Sequence, residues 1–329
     1  MSDGMNKLFL ADPVAFAKRY PLLPMGNHKG MLKNKGNDFY SVASDDRVMF
    51  CDILKPGKIT GYPSETHLLR MSDKSHSNWF PAYWLPWDAG MIYKCTLKDG
   101  RSFSKRVFGA DVDVFFTAAL DGCSVIVEGI GSKPSVYHAN ASNPSGDMSH
   151  GFPNPQNLPE GTVEYRRANM RYMREVMFAN TTSPKRGIGN KGGRIAQGSD
   201  YMDNFVGQAP QGTYRNKLDS KLQDQGLTVP TGNVSKTVKN YDFQQKKSVD
   251  NTMTQDLSRI RYHHGGTVFG LRKDNLWSFY YQKRVTAEIW RQLPNSDPNL
   301  WASWEPYEIA MSMDVEKFWP NGGGTAISR

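Results

Sequence analysis

Apolar and polar positions alternate most clearly in the middle of the chain. GMIYKCTL (90–97) and SFSKRVF (102–108) flank Lys98-Asp99-Gly100-Arg101, and an Asp-Gly turn between two alternating runs predicts a β-hairpin. VDVFFTAAL (112–120) predicts a third strand, ending at the turn Asp121-Gly122. CSVIVEGI (123–130) predicts a fourth, and SVYHANA (135–141), after Gly131–Pro134, a fifth. Strands that follow one another through short turns predict an antiparallel sheet.

The flanks read less regularly. A short apolar helix is expected over Pro13–Tyr20, and DFYSVASDDRVMFCDIL (38–54) predicts two short strands around a polar turn. WFPAYWLPW (79–87) carries too much proline for a regular helix and reads as core, or as a loop packed over it. Residues 142–162 hold many Pro, Asn, Gly and Ser and predict a long loop. In VEYRRANMRYMREVMFA (163–179), Val163, Met170, Met173 and Met177 fall on one side of a predicted helix; Arg166, Arg167, Arg171 and Arg174 form its solvated face. From Asn180 to Thr254 large apolar residues are scarce, which predicts an insertion and not core. GTVFGLRKDNLWSFYYQKRV (266–285) is again a hairpin pattern, around Lys273-Asp274-Asn275. A short helix is expected over TAEIWRQL (286–293), and an aromatic-rich segment follows at 300–319. The organisation read from this is an N-terminal lead-in segment, 1–35, and a single catalytic domain, 36–329, with a polar, mobile insertion around 142–260.

Composition narrows the function classes. Over 329 residues, 38% hydrophobic and 12% aromatic content suits a folded chain. No run of about 18 apolar residues occurs, so no membrane-spanning helix is expected. The N-terminus lacks the apolar centre and small-residue cleavage site of a cleaved secretory signal. The net charge of +9 implies attraction to acidic surfaces. The basic residues are scattered and no nucleic-acid recognition motif appears, so nucleic acid is not the expected partner. Three widely spaced cysteines, Cys51, Cys95 and Cys123, make neither a zinc knuckle nor a CxxC pair. They point to a reducing environment, in which one thiol can be kept for its reactivity.

Cys123 is the candidate. Gly122 before it permits a sharp bend at the junction of turn and strand, and the bend leaves backbone N–H groups near the sulfur that could hold an oxyanion. A thiol becomes nucleophilic when a base takes its proton. His138, in the next predicted strand, is that base. By strand parity Cys123 shares a face with Val125 and Val127, and His138 with Val136. Pairing over the Gly129–Pro134 turn would bring both to the same end. Thr117, six residues before the cysteine, could orient the imidazole. The bland alternative is a small buried cysteine and a structural histidine; Cys51 and Cys95 are read in that way.

Thr117, the turn Leu120-Asp121-Gly122-Cys123 and Val136-Tyr137-His138 resemble the catalytic pattern of the cytotoxic necrotizing factor and Burkholderia lethal factor deamidases. The chemotaxis-receptor deamidases have a similar site. The family signature is Leu-Ser-Gly-Cys, a catalytic His some twelve to seventeen residues later and, in several members, a Thr six before the Cys. Asp121 stands where the family usually has Ser, in a turn that accepts either. The resemblance spans residues 112–141. It implies an α+β fold, a sandwich of mixed, largely antiparallel β-sheets flanked by helices. It also implies a toxin or effector, acting in a host cytosol, that converts a protein glutamine to glutamate through Cys123 and His138 without metal or cofactor. Rho-type GTPases and a translation-initiation helicase are the family's substrate classes.

Two other readings compete. A papain-like protease or transglutaminase would use the same dyad but place its nucleophile at a helix N-terminus, where this chain has a strand pattern. A basic adaptor or nucleic-acid-binding protein would leave Cys123 and His138 buried and far apart. Gly187-Ile188-Gly189-Asn190-Lys191-Gly192 fits GxGxxG in letters only, since no strand pattern precedes it and no helix pattern follows. His263 and His264 are adjacent, so in a strand they point to opposite faces and cannot chelate one metal together.

Overall fold

The computed structural model describes residues 3–25, 42–44, 47–59, 62–87, 92–97, 112–120, 123–140, 194–196, 213–227, 230–242, 244 and 247–320. The predicted strand at 102–108, the loop at 142–162, the helix at 163–179 and the glycine motif at 187–192 lie outside them. The chain opens with helices α1 (Asp3–Ala11) and α2 (Pro13–Arg19). Strands follow: β1 (Leu22–Pro24), β2 (Val42–Ser44), β3 (Val48–Leu54), β4 (Lys58–Ile59), β5 (Tyr62–Pro63), β6 (His67–Ser72), β7 (Phe80–Leu85) and β8 (Ile92–Thr96). Next come β9 (Val114–Thr117), β10 (Cys123–Ile130), β11 (Lys133–Asn140) and β12 (Arg194–Ala196). Helix α3 (Thr213–Asp224) precedes β13 (Asn233–Asp242), β14 (Lys247–Asp256), β15 (Arg261–Lys273), β16 (Leu276–Gln292) and β17 (Trp304–Trp319). The protein is thus mostly β-sheet with few helices, a coarser match to the expected α+β class than flanking helices would give.

An eight-stranded mixed sheet runs β1-β6-β3-β7-β9-β15-β16-β17, and a five-stranded sheet runs β12-β10-β11-β8-β2. The large sheet curls until its edges almost meet. Ser64, just before β6, bridges Glu308 of β17, and Glu65 N–H donates to the Glu308 carbonyl at 3.0 Å. The Ser64 and Thr66 hydroxyls donate to the Glu308 carboxylate at 2.6 and 2.9 Å. Both faces of this sheet are covered. On one, Phe9, Phe16 and Ala17 of the helices pack with Met49, Cys51, Phe80, Trp84, Phe116 and Phe269. On the other, Tyr83, Leu85, Phe115, Val268, Phe279 and Tyr281 pack against Tyr93, Cys95, Val125, Val127 and Val136 of the five-stranded sheet. Each such buried aliphatic or aromatic side chain contributes about 1.5–3 kcal/mol.

The helical lead-in is part of this core. Asp12 caps α2, its carboxylate accepting from Ala15 N–H at 2.9 Å, and Pro13 stands in the first turn where no N–H is needed. Gln282, fully buried on β16, fastens the segment: its Oε1 accepts from Leu22 N–H at 2.9 Å, and its Nε2 donates to the Ala17 and Tyr20 carbonyls at 2.6 and 2.7 Å. Asn6 does the same for α1, donating to the buried Asp52 at 2.8 Å and accepting from Ile53 N–H at 2.8 Å.

Three sequence expectations change. The meander is split: β9 lies in the large sheet between β7 and β15, while β8, β10 and β11 belong to the small one. Residues 286–292 are strand, not helix, because Ala287 and Ile289 alternate into a cluster with Ile309 and pair along β17. Within the polar stretch 180–254, α3 buries Leu218 and Leu222 against that same cluster, so this part of the stretch is core. The expected hairpin around 273–275 is present, with Asp274 and Asn275 at φ 52° and 63°, the left-handed pair of a type I′ turn.

Candidate active site

β10 and β11 form the hairpin predicted from their sequence, turning at Gly131-Ser132, with Gly129 at φ 100° where an L side chain would be strained. The register pairs Val125 with His138 and Cys123 with Asn140. Cys123 opens β10, two positions from Val125, so positions 123 and 138 share one side of the pleat on neighbouring strands. Diagonal neighbours of this kind stand about 7–8 Å apart along the backbone.

The His138 side chain is fully buried, on the face that Val125, Val127 and Val136 turn toward the large sheet. Neither ring nitrogen has a hydrogen-bond partner among the described residues. Burial without a counter-charge pushes its pKa down to about 3, so the imidazole is neutral and its protonated form is strongly disfavoured where it stands.

Thr117 closes β9 in the other sheet. It is fully buried, and its hydroxyl donates to the Ala118 carbonyl at 2.7 Å. It therefore shapes the backbone after β9 and does not hold the imidazole. The segment is a bulge. Phe116 pairs with Phe269 and Leu120 with Gly266, so the three residues 117, 118 and 119 oppose only two, 267 and 268. Ala118 N–H donates to the Leu85 carbonyl at 2.9 Å on the opposite flank. After Leu120 the chain leaves the large sheet, and at Cys123 it enters the small one. The expected turn residues, Asp121 and Gly122, lie outside the described residues, as does any oxyanion pocket they form.

Sequence reasoning did not single out Gly266, whose N–H and carbonyl both bond to Leu120. The adjacent glycines Gly265-Gly266 inside a strand pattern were the available signal, since strand glycines mark close backbone approach. Cys51 and Cys95 are fully buried, as packing residues would be. Desolvation, and secondarily Asp52, raises the Cys51 thiol far out of the reactive range. His263 lies in β15 and is exposed. Among the described residues no group of three or more His, Cys, Asp or Glu side chains could hold a metal ion, and no helix is long and apolar enough to cross a membrane. The chain matches no protein-family model and no curated protein.

Proposed function

We propose that this protein is a cysteine-dependent hydrolase that deamidates a glutamine side chain of a protein substrate. The observation that carries the reading is the β10–β11 register, which makes Cys123 and His138 diagonal neighbours on one side of the pleat. In the proposed cycle neutral His138 takes the Cys123 proton. The thiolate then attacks the carboxamide carbon, and the C–N bond of the tetrahedral adduct breaks as His138 returns the proton to the departing ammonia. Water, deprotonated by His138, opens the thioester to give glutamate and the free thiol. His138 is fully buried, so the proposed chemistry is limited to a substrate side chain that can be inserted at the strand end. The predominance of β-sheet and the packing of two sheets on one another are in keeping with the fold that the family resemblance implies.

The same resemblance puts a Rho-type GTPase or a translation-initiation helicase among the substrate classes, and a host cytosol as the place of action. The basic charge of +9 suits an acidic protein surface. The test is incubation with lysate proteins, followed by peptide mass spectrometry with Cys123→Ser as the blank. A gain of about one dalton at one glutamine, with ammonia release, is the expected result. Backbone cleavage, or a larger mass gain from an added amine, would replace deamidase with protease or transglutaminase.

A further inference from the structure

We propose that the N-terminal segment, α1 through β1, is an acid-released latch and that His67 of β6 is its trigger. The segment lies on one face of the large sheet and is fastened there by side chains of the strands beneath. Gln282 bonds the Ala17 and Tyr20 carbonyls and the Leu22 N–H. Thr267 and Arg284 donate to the Leu22 carbonyl at 3.0 and 3.3 Å, and Asn6 bonds Asp52 and Ile53. His67 sits under the same segment. Its N–H donates to the Pro21 carbonyl at 2.8 Å, and it pairs with Leu22 in the β1–β6 ladder. Its ring packs on Tyr20 and Phe16, with centroids 4.8 and 6.1 Å apart.

His67 is 6% exposed, and its buried Nδ1 has no hydrogen-bond partner among the described residues. A neutral imidazole is tolerated in this seat, but an imidazolium would bury a charge and leave a donor unsatisfied. The charged groups of the surrounding elements offer it no counter-charge. α2 carries Lys18 and Arg19 in its last turn, and Arg19 lies over the Tyr20 ring at 5.3 Å. β16 brings Arg284, another cation. On β3, Asp52 is held by Arg70 and Asn6. Glu65, just before β6, takes Lys221, Gln225 and the Ala310 N–H, and Glu308 of β17 takes Ser64 and Thr66. Burial alone accordingly holds His67 down at about 4. The walls that desolvate the ring, Phe16 and Tyr20, belong to the segment itself, whereas β6 is paired to β3. Lifting the segment therefore hydrates the ring without parting β6 from β3. The released state binds the proton that the docked state refuses, so docking is favoured above about pH 6.5 and weakens as pH falls toward 4. Release uncovers the apolar face that Met49, Phe80, Trp84, Phe116 and Phe269 present to the helices. His138, lower still at about 3, lies in the layer between the sheets and gives way only in stronger acid.

Two buried thiols report the two layers separately. Cys51 is packed with Phe9, Phe16 and Ala17 on the face that the helices cover, and Cys95 lies between the sheets. Their labelling by dithiodipyridine, an aromatic disulfide that exchanges with thiols in acid, is followed from pH 7 to pH 3.5 by peptide mass spectrometry. Cys51 labelling should rise at least about tenfold between pH 7 and pH 4 while Cys95 stays protected. His67→Phe keeps an aromatic ring in the seat and cannot be protonated, so Cys51 should stay closed at pH 4; His67→Leu carries the same test if the phenylalanine variant does not fold. Gln282→Met loosens the fastening with His67 in place and should move the opening of Cys51 to higher pH. Cys51 and Cys95 opening together in wild type, or Cys51 closed down to pH 3.5, overturns the latch. Folded His67 variants whose Cys51 opens at the wild-type pH overturn the trigger.

Discussion

Val125 and His138 are direct partners across the β10–β11 ladder, and this pairing sets which residues can reach the imidazole. His138 projects with Val125 into the space between the two sheets, where no hydrogen bond from a described residue meets either ring nitrogen. The two positions diagonal to it on the neighbouring strand are Cys123 and Val127. A register slip of one residue would turn position 138 to the opposite face and end the relationship.

Cys123→Ser and His138→Ala should each abolish deamidation while the fold persists. A serine hydroxyl is far less acidic than a thiol, and loss of the base costs about 100- to 10,000-fold in rate. Steady-state ammonia release, with circular dichroism as the fold control, checks this. Near-wild-type turnover by Cys123→Ser would remove the mechanism.

Thr117 should matter less than the dyad. Its hydroxyl serves the Ala118 carbonyl, so Thr117→Val should cost about 1 kcal/mol of stability. Activity should fall only a few-fold, with the pH profile unmoved. A shifted profile in this variant would show that the hydroxyl acts on His138 during turnover.

Acid should destabilise the fold in a defined window. Burial lowers His138 from 6.5 to about 3 and His67 from 6.5 to about 4, so the folded state resists protons that the unfolded chain takes up. The stability these neutral rings contribute is complete above about pH 6.5 and is lost progressively as pH falls toward 4 and then 3. Each contributes a slope of at most about 1.4 kcal/mol per pH unit. Urea midpoints measured above and below that window should show the decline. His67→Phe, within the cluster formed with Phe16 and Tyr20, should make it shallower. An equally steep decline in His67→Phe would assign the acid sensitivity elsewhere.

Helix α3 should behave as core although its surroundings are polar. Leu218 is fully buried against Val285, Ala287, Ile289 and Ile309, so Leu218→Ala should cost about 2–5 kcal/mol. Lys221 holds the same helix to Glu65 at 2.5 Å and to the Ala310 carbonyl at 2.6 Å. Thermal unfolding of Leu218→Ala compared with Leu8→Ala, at an exposed position on α1, separates core from surface. Equal midpoints would show that α3 is a dispensable attachment.

The sequence made local pairings legible and left sheet membership hidden. The β15–β16 and β10–β11 hairpins follow from alternation and turn residues within about fifteen positions. β9 could not be placed in this way, because its partners, β7 and β15, are chosen by packing of Phe115 and Phe116 against residues as distant as Phe269 and Phe279. TAEIWRQL has helix-forming residues, yet Ala287 and Ile289 are drawn into a strand by Ile309 and by α3. Around the candidate site, the strands that carry Cys123 and His138, and their pairing, were readable. The service of Thr117 to its own backbone was not, nor was the pair of hydrogen bonds between Leu120 and Gly266, because both depend on a bulge that no local pattern announces.

The Leu120–Gly266 bridge also has a kinetic meaning. Its two halves are far apart in the chain, and β15 must pair with β9 before Leu120 has anywhere to dock. Contacts this distant form late, since the loop-closure entropy has to be met first. During synthesis residues 123–140 emerge well before Gly266, so the β10–β11 hairpin can exist before the strand that receives Leu120 has been made. The Leu120 end of β9 is therefore anchored only after β15 has formed, and partly made chains that already carry the β10–β11 hairpin lack that anchor.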